Sequence, residues 1–192
     1  MKLHFLLLFL VGMMLISCAS QVYVDPMQID SDQGAGYSDT DLRMLAEKMT
    51  RSLIEMDFIA RAGRRVRFAI LDIYNKTAEH IDTKAISDKI MVTLLKSGNV
   101  SFVDREKLTE MANERHLVSA GNINFSQAIE VGKVLGADYF LAGDLAGIAR
   151  RQGRTTTNYM KLTLRLIDAK TSEIIWADEK EIKKVSKSSF LD

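Results

Sequence analysis

The sequence predicts an α/β fold: a single two-layer domain whose mixed sheet of about five strands is covered by about four helices. Three observations predict it. Apolar runs at 66–73 and 100–103 flank one amphipathic helical stretch, the pattern of a βαβ unit with parallel strands. Two later stretches, within 159–168 and 173–182, alternate apolar and polar residues as antiparallel strands do. At 192 residues and 47% hydrophobic content, the chain is expected to form one ordinary core.

Residues 1–17 are typical of a lipoprotein signal peptide. Lys2 precedes an apolar run from Leu3 to Ile16, too short to be a good permanent membrane span. Leu15-Ile16-Ser17 then leads to Cys18, the only cysteine of the chain. This order resembles the bacterial lipobox, whose cysteine receives S-linked diacylglycerol and an N-acyl group such as palmitate. The alternative is an ordinary signal peptide with an unrelated cysteine.

Residues 18–37 are predicted to be a lipidated, flexible tether, because they contain Pro26, Gly34 and Gly36 and show little periodicity. A tether of about 20 residues spans ~25 Å on average and ~70 Å when fully extended. Ala19 stands where an Asp would favour inner-membrane retention. We therefore expect the chain to be anchored in the outer membrane with its domain facing the periplasm.

The composition and motifs disfavour several classes of function. The 26 Lys and Arg residues balance 25 Asp and Glu residues, which argues against nucleic acid as a partner. Beyond the signal peptide only His80 and His116 remain, and no catalytic or phosphate-binding motif is present. His80 near Asp82 could form a base–acid pair, but a residue at a helix start is the preferred interpretation. His116 is interpreted as a cation near a helix C-terminus. We expect no enzyme activity, no catalytic residue, no metal and no cofactor; a hydrolase is the disfavoured alternative.

The first element of the domain is a helix that begins after Ser38. Ser38 is a favourable N-cap, and Asp39 and Asp41 place negative charge in the first turn. Apolar residues follow at spacings of three and four, which predicts a buried stripe. The stripe consists of Leu42, Leu45, Met49, Leu53 and Met56.

The βαβ unit comes next. Residues 66–73 predict a buried strand ending at a turn over 75–77. Asp82 can cap the following helix, which stops near Gly98, and residues 100–103 predict the second strand. That helix buries Ile86, Ile90 and Leu94. The basic cluster Arg61, Arg64, Arg65 and Arg67 is interpreted as a solvated strand entrance, with an anion contact as the alternative.

Two helices and a meander complete the domain. The first helix is capped by Asp104 and carries Leu108, Met111 and Leu117, and Gly121 ends it. The second spans 125–135, with Ala128, Val131 and Leu135 on one face. Strands are predicted at 137–148, 159–168 and 173–182, with a hairpin loop at 150–157 and a turn at Thr171-Ser172. Ile174 and Trp176 are expected on one face of the last strand. The domain is expected to occupy 38–185, and 186–192 to fray.

The order and spacing of these pieces resemble the penicillin-binding protein activator LpoB family, related to the N-terminal domain of TolB and to the CsgG-type lipoproteins. The segments that carry the resemblance, beside the capped first helix and the lipobox, are Phe68-Ala69-Ile70-Leu71-Asp72, Asn75-Lys76-Thr77, Phe102-Val103-Asp104-Arg105-Glu106, Leu135-Gly136-Ala137-Asp138-Tyr139-Phe140-Leu141-Ala142-Gly143, Leu166-Ile167-Asp168 and Glu173-Ile174-Ile175-Trp176. Two features depart from the family pattern: the tether is short with one Pro, and Ser172 stands where the family often has a turn Gly.

The resemblance implies a non-catalytic outer-membrane lipoprotein that regulates cell-wall synthesis and so cell shape. Its partner would be a class A penicillin-binding protein, a bifunctional transglycosylase/transpeptidase, reached through the peptidoglycan, which would be a further contact. Activation would follow from tighter binding to the active conformer of the synthase. The candidate contact residues are Arg150, Arg151 and Arg154.

The alternative function is that of a CsgG-like assembly or secretion lipoprotein, which forms a ring in the outer membrane. Such a ring needs amphipathic strands that cross lipid. Lys161 and Arg165, on one face of the cleanest strand, would each cost roughly 2–4 kcal/mol at mid-bilayer. This cost favours the soluble-domain interpretation.

Overall fold

The computed structural model describes residues 34–114, 118–119, 122–123 and 125–187. Within these residues the chain forms five helices and seven strands. In chain order they are α1 (Asp39–Ile54), α2 (Asp57–Arg61), β1 (Val66–Lys76), α3 (Thr83–Lys96), β2 (Val100–Phe102), α4 (Arg105–Glu114), β3 (Val118–Ser119), β4 (Asn122–Ile123), α5 (Phe125–Val134), β5 (Tyr139–Gln152), β6 (Thr155–Asp168) and β7 (Ile174–Lys187).

Five of the strands form one open mixed sheet in the order β2-β1-β5-β6-β7. β1 runs parallel to both β2 and β5, whereas β5, β6 and β7 form an antiparallel meander. β3 and β4 form a separate two-stranded pair. The prediction of a single mixed five-stranded α/β domain that begins with a βαβ unit is confirmed.

The helices lie on both faces of the sheet, which differs from the two-layer expectation. α1 and α3 cover one face and bury Phe68 of β1, while α4 and α5 cover the other and bury its neighbour Ala69. Both residues are fully buried because successive side chains of a strand point to opposite faces. The continuous apolar run of β1 is typical of a strand buried on both sides.

The predicted helix starts are confirmed by their hydrogen bonds. Ser38 Oγ accepts from Asp41 N at 3.3 Å, and Asp41 Oδ2 accepts from Ser38 N at 2.8 Å, a complete capping box. Asp82 Oδ1 accepts from Lys84 N and Ala85 N at 2.9 and 3.2 Å. These bonds satisfy N–H groups that the helices themselves leave unpaired.

Two glycines permit close packing. A Cβ on Gly132 of α5 would overlap the Phe140 ring, 2.8 Å from Cζ. A Cβ on Gly143 of β5 would lie 3.3 Å from Leu164 Cα and would overlap the carbonyl oxygen of Thr163. The helix and the neighbouring strand can therefore approach only because these positions carry no side chain.

The predicted hairpin loop at 150–157 is wrong. β5 continues to Gln152 and β6 begins at Thr155, so Arg150 pairs with Thr157 and only Gly153 and Arg154 form the turn. The polar composition of this segment reflects exposure to solvent, not loss of strand pairing, and its threonines favour strands.

Several element boundaries also differ from the predictions. β1 continues through Asn75 and Lys76, where a turn was expected, and the short helix α2 was not predicted. β7 runs to Lys187, two residues beyond the expected domain end. Ile174 is 57% exposed while Trp176 is buried, because the β6–β7 register shifts between Leu166 and Ile167.

Some predictions lie outside the described residues. These are the signal peptide with Leu15, Ile16 and Ser17, the lipidation site Cys18, the tether up to residue 33, His116, Leu117, Gly121 and the C-terminal residues 188–192. In the described part of the chain, no helix is both long enough and apolar enough to cross a bilayer.

Candidate partner-binding surface

A cavity of about 630 Å³ lies between α3 and α4, beside Ile70 in the middle of β1 and the carboxyl end of β2. Three of its polar residues have structural partners. Ser87, 2% exposed, donates to Thr83 O at 3.1 Å, and Asp104 accepts from Glu106 N at 2.7 Å. Arg105 Nη1 lies 2.7 Å from Asp72 Oδ1. Engaged in this way, these groups form no nucleophile–base pair.

The other positions considered for chemistry are similarly unsuited to it. Asp82 uses its carboxylate as the cap of α3, and His80 is exposed on the loop before it. Among the residues described, no group of three His, Cys, Asp or Glu side chains could hold a metal ion. The surfaces of the domain, not its cavities, are therefore the better candidates for function.

Among the described residues, no helix covers one face of the sheet where β5, β6 and β7 extend beyond α4 and α5. We call it the open sheet face. Strand pairing arranges its side chains in rows across four strands. The rows are Tyr74–Asp144–Thr163–Glu179, Lys76–Ala146–Lys161–Glu181 and Ile148–Tyr159–Lys183. Tyr74 is 54% and Ile148 64% exposed, so aromatic and apolar groups stand among the charges.

Ion pairs of both signs connect the rows. Asp144 Oδ1 lies 3.4 Å from Lys76 Nζ and 3.5 Å from Arg165 Nη2. Lys161 Nζ lies 3.0 Å from Glu179 Oε2, and this hydrogen bond raises the pKa of Lys161. Such pairs keep the face charged while contributing little stability themselves.

Two further groups on this face are available to a partner. The phenol of Tyr159 donates to Glu181 Oε1 at 2.8 Å, and this bond raises the pKa of Tyr159. The Nε–H of Arg165 is buried and has no acceptor among the described residues. The Arg165 side chain as a whole is 42% exposed, so its outer part is what a partner protein can reach. Tyr and Arg are enriched where proteins bind one another.

The three predicted contact arginines share one end of the sheet but not one face. Arg150 and Arg151 are adjacent in β5, so their side chains leave on opposite sides, and Arg154 lies in the turn. All three are exposed. The structure therefore places them at the tip of a long hairpin, beyond the open sheet face.

A buried polar cluster, not recognised in the sequence, fixes the point where the tether joins the domain. Lys184 Nζ donates to Gly36 O at 2.6 Å and to Asp41 Oδ2 at 3.0 Å. Tyr37 N donates to Glu79 Oε2 at 3.2 Å, and Asn158 Nδ2 donates to the other oxygen of Glu79. We call this cluster the tether clamp. The one signal in the sequence is that Lys184 follows Ile182 at the spacing of the buried face of β7.

The family model for the peptidoglycan-synthase activator LpoB matches residues 41–182. The chain belongs to the LpoB family. The matched range starts in α1 and ends in β7, so it includes both faces of the sheet and the whole β5–β6 hairpin. The predicted family is confirmed.

Solved LpoB structures show the same fold. The C-terminal domain of LpoB from Escherichia coli has 18% sequence identity and a TM-score of 0.57, over 75% of this chain and 99% of that one. The LpoB C-terminal domain from Salmonella enterica has 18% sequence identity and a TM-score of 0.56, over the same shares of the two chains. The NMR structure of E. coli LpoB has 17% sequence identity and a TM-score of 0.50, over 91% of this chain and 86% of that chain. No curated protein sequence matches this chain significantly.

Proposed function

We propose that this LpoB-family protein binds and activates a class A penicillin-binding protein and so regulates peptidoglycan synthesis. The observation that carries the proposal is the family match, which spans almost the whole folded domain. The family is named for activation of a peptidoglycan synthase. The protein itself acts without catalysis, as a binding partner.

We further propose that Cys18 carries S-diacylglycerol and an N-acyl chain and holds the protein in the outer membrane, with the domain in the periplasm. The lone cysteine after Leu15-Ile16-Ser17 supports this, as does the short run before it. Two or three buried acyl chains anchor a protein firmly, since each CH₂ contributes about 0.8 kcal/mol. Mass spectrometry of the native N-terminal peptide tests it; an unmodified Cys18 thiol would exclude the anchor.

The open sheet face is the surface proposed to contact the synthase. Four strands at about 4.8 Å spacing, with three rows about 6.6 Å apart, present on the order of 400 Å². This is about half of the roughly 800 Å² that each partner buries in a standard interface. Its mixed charges suit a specific protein partner, because complementary pairing sets orientation and excludes wrong partners.

Activation requires that the protein bind the active conformer of the synthase more tightly than the inactive one. Differential binding of about 1.4 kcal/mol multiplies the ratio of active to inactive synthase tenfold. A flat, preformed face can supply this difference if the complementary surface of the synthase exists only in the active conformer.

The test is the rate of glycan polymerisation by the cognate class A synthase, with and without the protein. Wild type should raise the rate. Lys161→Glu should weaken that effect. Combining it with Glu179→Lys restores an ion pair with the charges exchanged, so the double variant separates loss of the ion pair from loss of the partner contact. Lys89→Glu is the matched control, because Lys89 is exposed on α3, which covers the opposite face of the sheet. This variant should stimulate the synthase as wild type does.

Failure of wild type to bind or stimulate the synthase would refute the proposed function. Equal stimulation by wild type and Lys161→Glu would move the contact away from the open sheet face. Size measurement after gentle detergent extraction addresses the CsgG-like alternative, which requires a large ring.

A further inference from the structure

We infer that the end of the sheet where the tether joins binds the anionic phospholipid headgroups of the membrane that holds the chain. We call this surface the basic tip; it consists of Arg150, Arg151, Arg154 and Lys187. The inference rests on the proposed anchoring at Cys18 and goes beyond synthase activation, because it assigns a second surface and a second partner.

The direction of α1 places the tether and the basic tip at the same end of the domain. Asp41 at the start of α1 contacts Lys184, and Lys48, nearly two turns later, contacts Asp178. α1 therefore runs antiparallel to β7, with its first residue towards the end of β7. The chain before Ser38 leaves the domain beside the last residues of that strand.

The tether clamp fixes this exit close to the hairpin turn. Lys184 pairs with Asn158, and Asn158 lies three residues beyond the first residue of β6, Thr155. At about 3.3 Å per residue, the clamp is about 10 Å from the turn. Lys187 pairs with Thr155 at the turn itself. The opposite end of β6, near Asp168, is about 45 Å from the turn.

Basic residues predominate at this end. Residues 148–158 contain three arginines and no acid, and residues 183–187 contain three lysines and no acid. Of these lysines, Lys184 is paired with Asp41, and Glu79 also lies at this end in the tether clamp. The whole chain carries a formal charge of only +1, so this end is more basic than the average. The exposed side chains of Arg150, Arg151 and Lys187 form no ion pair with any carboxylate that the structure describes.

The tether keeps the basic tip near the bilayer. A flexible tether of the 19 residues from Cys18 to Gly36, as the sequence predicts, would span about 25 Å on average, less than the length of the sheet. Electrostatic attraction to lipid extends only about 8 Å at physiological salt. A tip at the tether exit is repeatedly brought within this range, whereas the turn at Thr171-Ser172 is held far from it.

Lipid is favoured over the synthase as the occupant of the tip. A lipid surface offers diffuse negative charge and needs no matching shape, which suits arginines that leave the hairpin in several directions. The open sheet face, with its paired charges, differs in this respect. Binding of the tip to lipid would orient the domain on the membrane with the opposite end pointing away.

The test uses the full, lipidated chain reconstituted in vesicles. Because acylated Cys18 has no free thiol, Gln152→Cys places a single dye at the tip, and Lys170→Cys places it at the other end. Energy transfer to an acceptor lipid is measured in phosphatidylcholine vesicles, and in phosphatidylethanolamine–phosphatidylglycerol vesicles at low salt and at 1 M salt, where the Debye length is about 3 Å.

The expected result is stronger transfer from position 152 than from 170, with a difference that increases in anionic vesicles at low salt and returns to its phosphatidylcholine value at 1 M salt. Each basic residue near such a surface contributes roughly a fivefold factor. Changing Arg150, Arg151 and Lys187 together to Gln should therefore lower the ratio of bound to detached tip by about a hundredfold. Equal transfer from both positions, or transfer that does not depend on anionic lipid, would overturn the inference.

Synthase stimulation by the same triple variant, measured in detergent without vesicles, separates this inference from the proposed function. Normal stimulation together with lost transfer supports a lipid-binding tip. Lost stimulation in detergent assigns the tip to the synthase and overturns the inference. Wild type that shows the lipid-dependent transfer but never stimulates a synthase would refute the proposed function alone.

Discussion

Lys184 of β7 and Asp41 of α1 form a nearly buried ion pair, with 3.0 Å between Nζ and Oδ2. Asp41 is 3% exposed and also accepts from the backbone N–H and the hydroxyl of Ser38. The same lysine holds the carbonyl of Gly36. One side chain thus joins the end of the tether, the start of α1 and the last strand of the sheet.

Replacing Lys184 by Met should destabilise the domain by about 2–4 kcal/mol, because it leaves the Asp41 carboxylate buried without a cation. Lys183→Met is the control, since Lys183 is exposed on the opposite face of β7; its effect should stay within about 0.5 kcal/mol. Urea denaturation followed by circular dichroism measures both. Equal midpoints would show that the pair does not stabilise the fold.

Tyr37→Phe should leave stability unchanged or raise it by about 1 kcal/mol. The Tyr37 hydroxyl is buried and has no hydrogen-bond partner among the described residues, so its removal abolishes a desolvation cost. A loss of more than about 1 kcal/mol on thermal or chemical denaturation would show that the hydroxyl makes a stabilising bond.

Alkaline pH provides a second measurement on Tyr37. Burial, followed by the charges of Asp41 and Asp82, raises the Tyr37 pKa above the ordinary 10.0. A group whose pKa is raised on folding stabilises the fold fully below its unfolded pKa, and this contribution is lost as pH rises above it. Wild type should therefore lose more stability above about pH 10 than Tyr37→Phe does. Parallel pH profiles would contradict this.

Asp138→Asn should destabilise the protein by about 1 kcal/mol at neutral pH. Asp138 accepts from both terminal nitrogens of Arg64 at 2.7 Å and from Arg67 N at 2.8 Å. The bond with Arg64 is the main cause that lowers the Asp138 pKa below 3.8, and the backbone bond from Arg67 adds to it.

The acid dependence follows from the direction of that shift. A lowered pKa stabilises the fold above the unfolded value, and this contribution disappears as pH falls through the folded value. The difference between wild type and Asp138→Asn should therefore be constant above about pH 5 and shrink below pH 3.8. A difference that does not depend on pH would mean that charge is not involved.

Gly132→Ala should destabilise the domain by about 1–3 kcal/mol, the cost of overpacking a core, because the new methyl would overlap Phe140. Gly36→Ala is the matched control: a Cβ there meets nothing within 4 Å, and the position needs no positive φ. Differential scanning calorimetry compares the two. If Gly132→Ala left the stability of the domain unchanged, Phe140 would have to move aside freely.

Local patterns in the chain were enough to predict many of its elements. The α1 stripe with its Ser38 cap, the helix started by Asp82 and the alternation of β6 all depend on residues a few positions apart. The same kind of pattern indicated the lipobox at Cys18 and the family. These features require no knowledge of which distant segments meet.

The errors share one physical origin. The segment from Arg150 to Thr157 looked like a loop because it is polar, but its conformation is decided by pairing between β5, β6 and β7. The helices α4 and α5 were predicted, but their position on the second face of the sheet was not, because nothing local shows that β1 must be covered on both faces.

The sequence by itself therefore determined the elements, the family and the expected anchor, whereas the tertiary structure decided which surfaces exist. The open sheet face depends on rows formed across four strands. The tether clamp joins residues 143 positions apart, Asp41 and Lys184. Periodicity reports only which way a side chain points from its own element; contact between distant residues arises when strands and helices pack, and packing is a property of the whole chain.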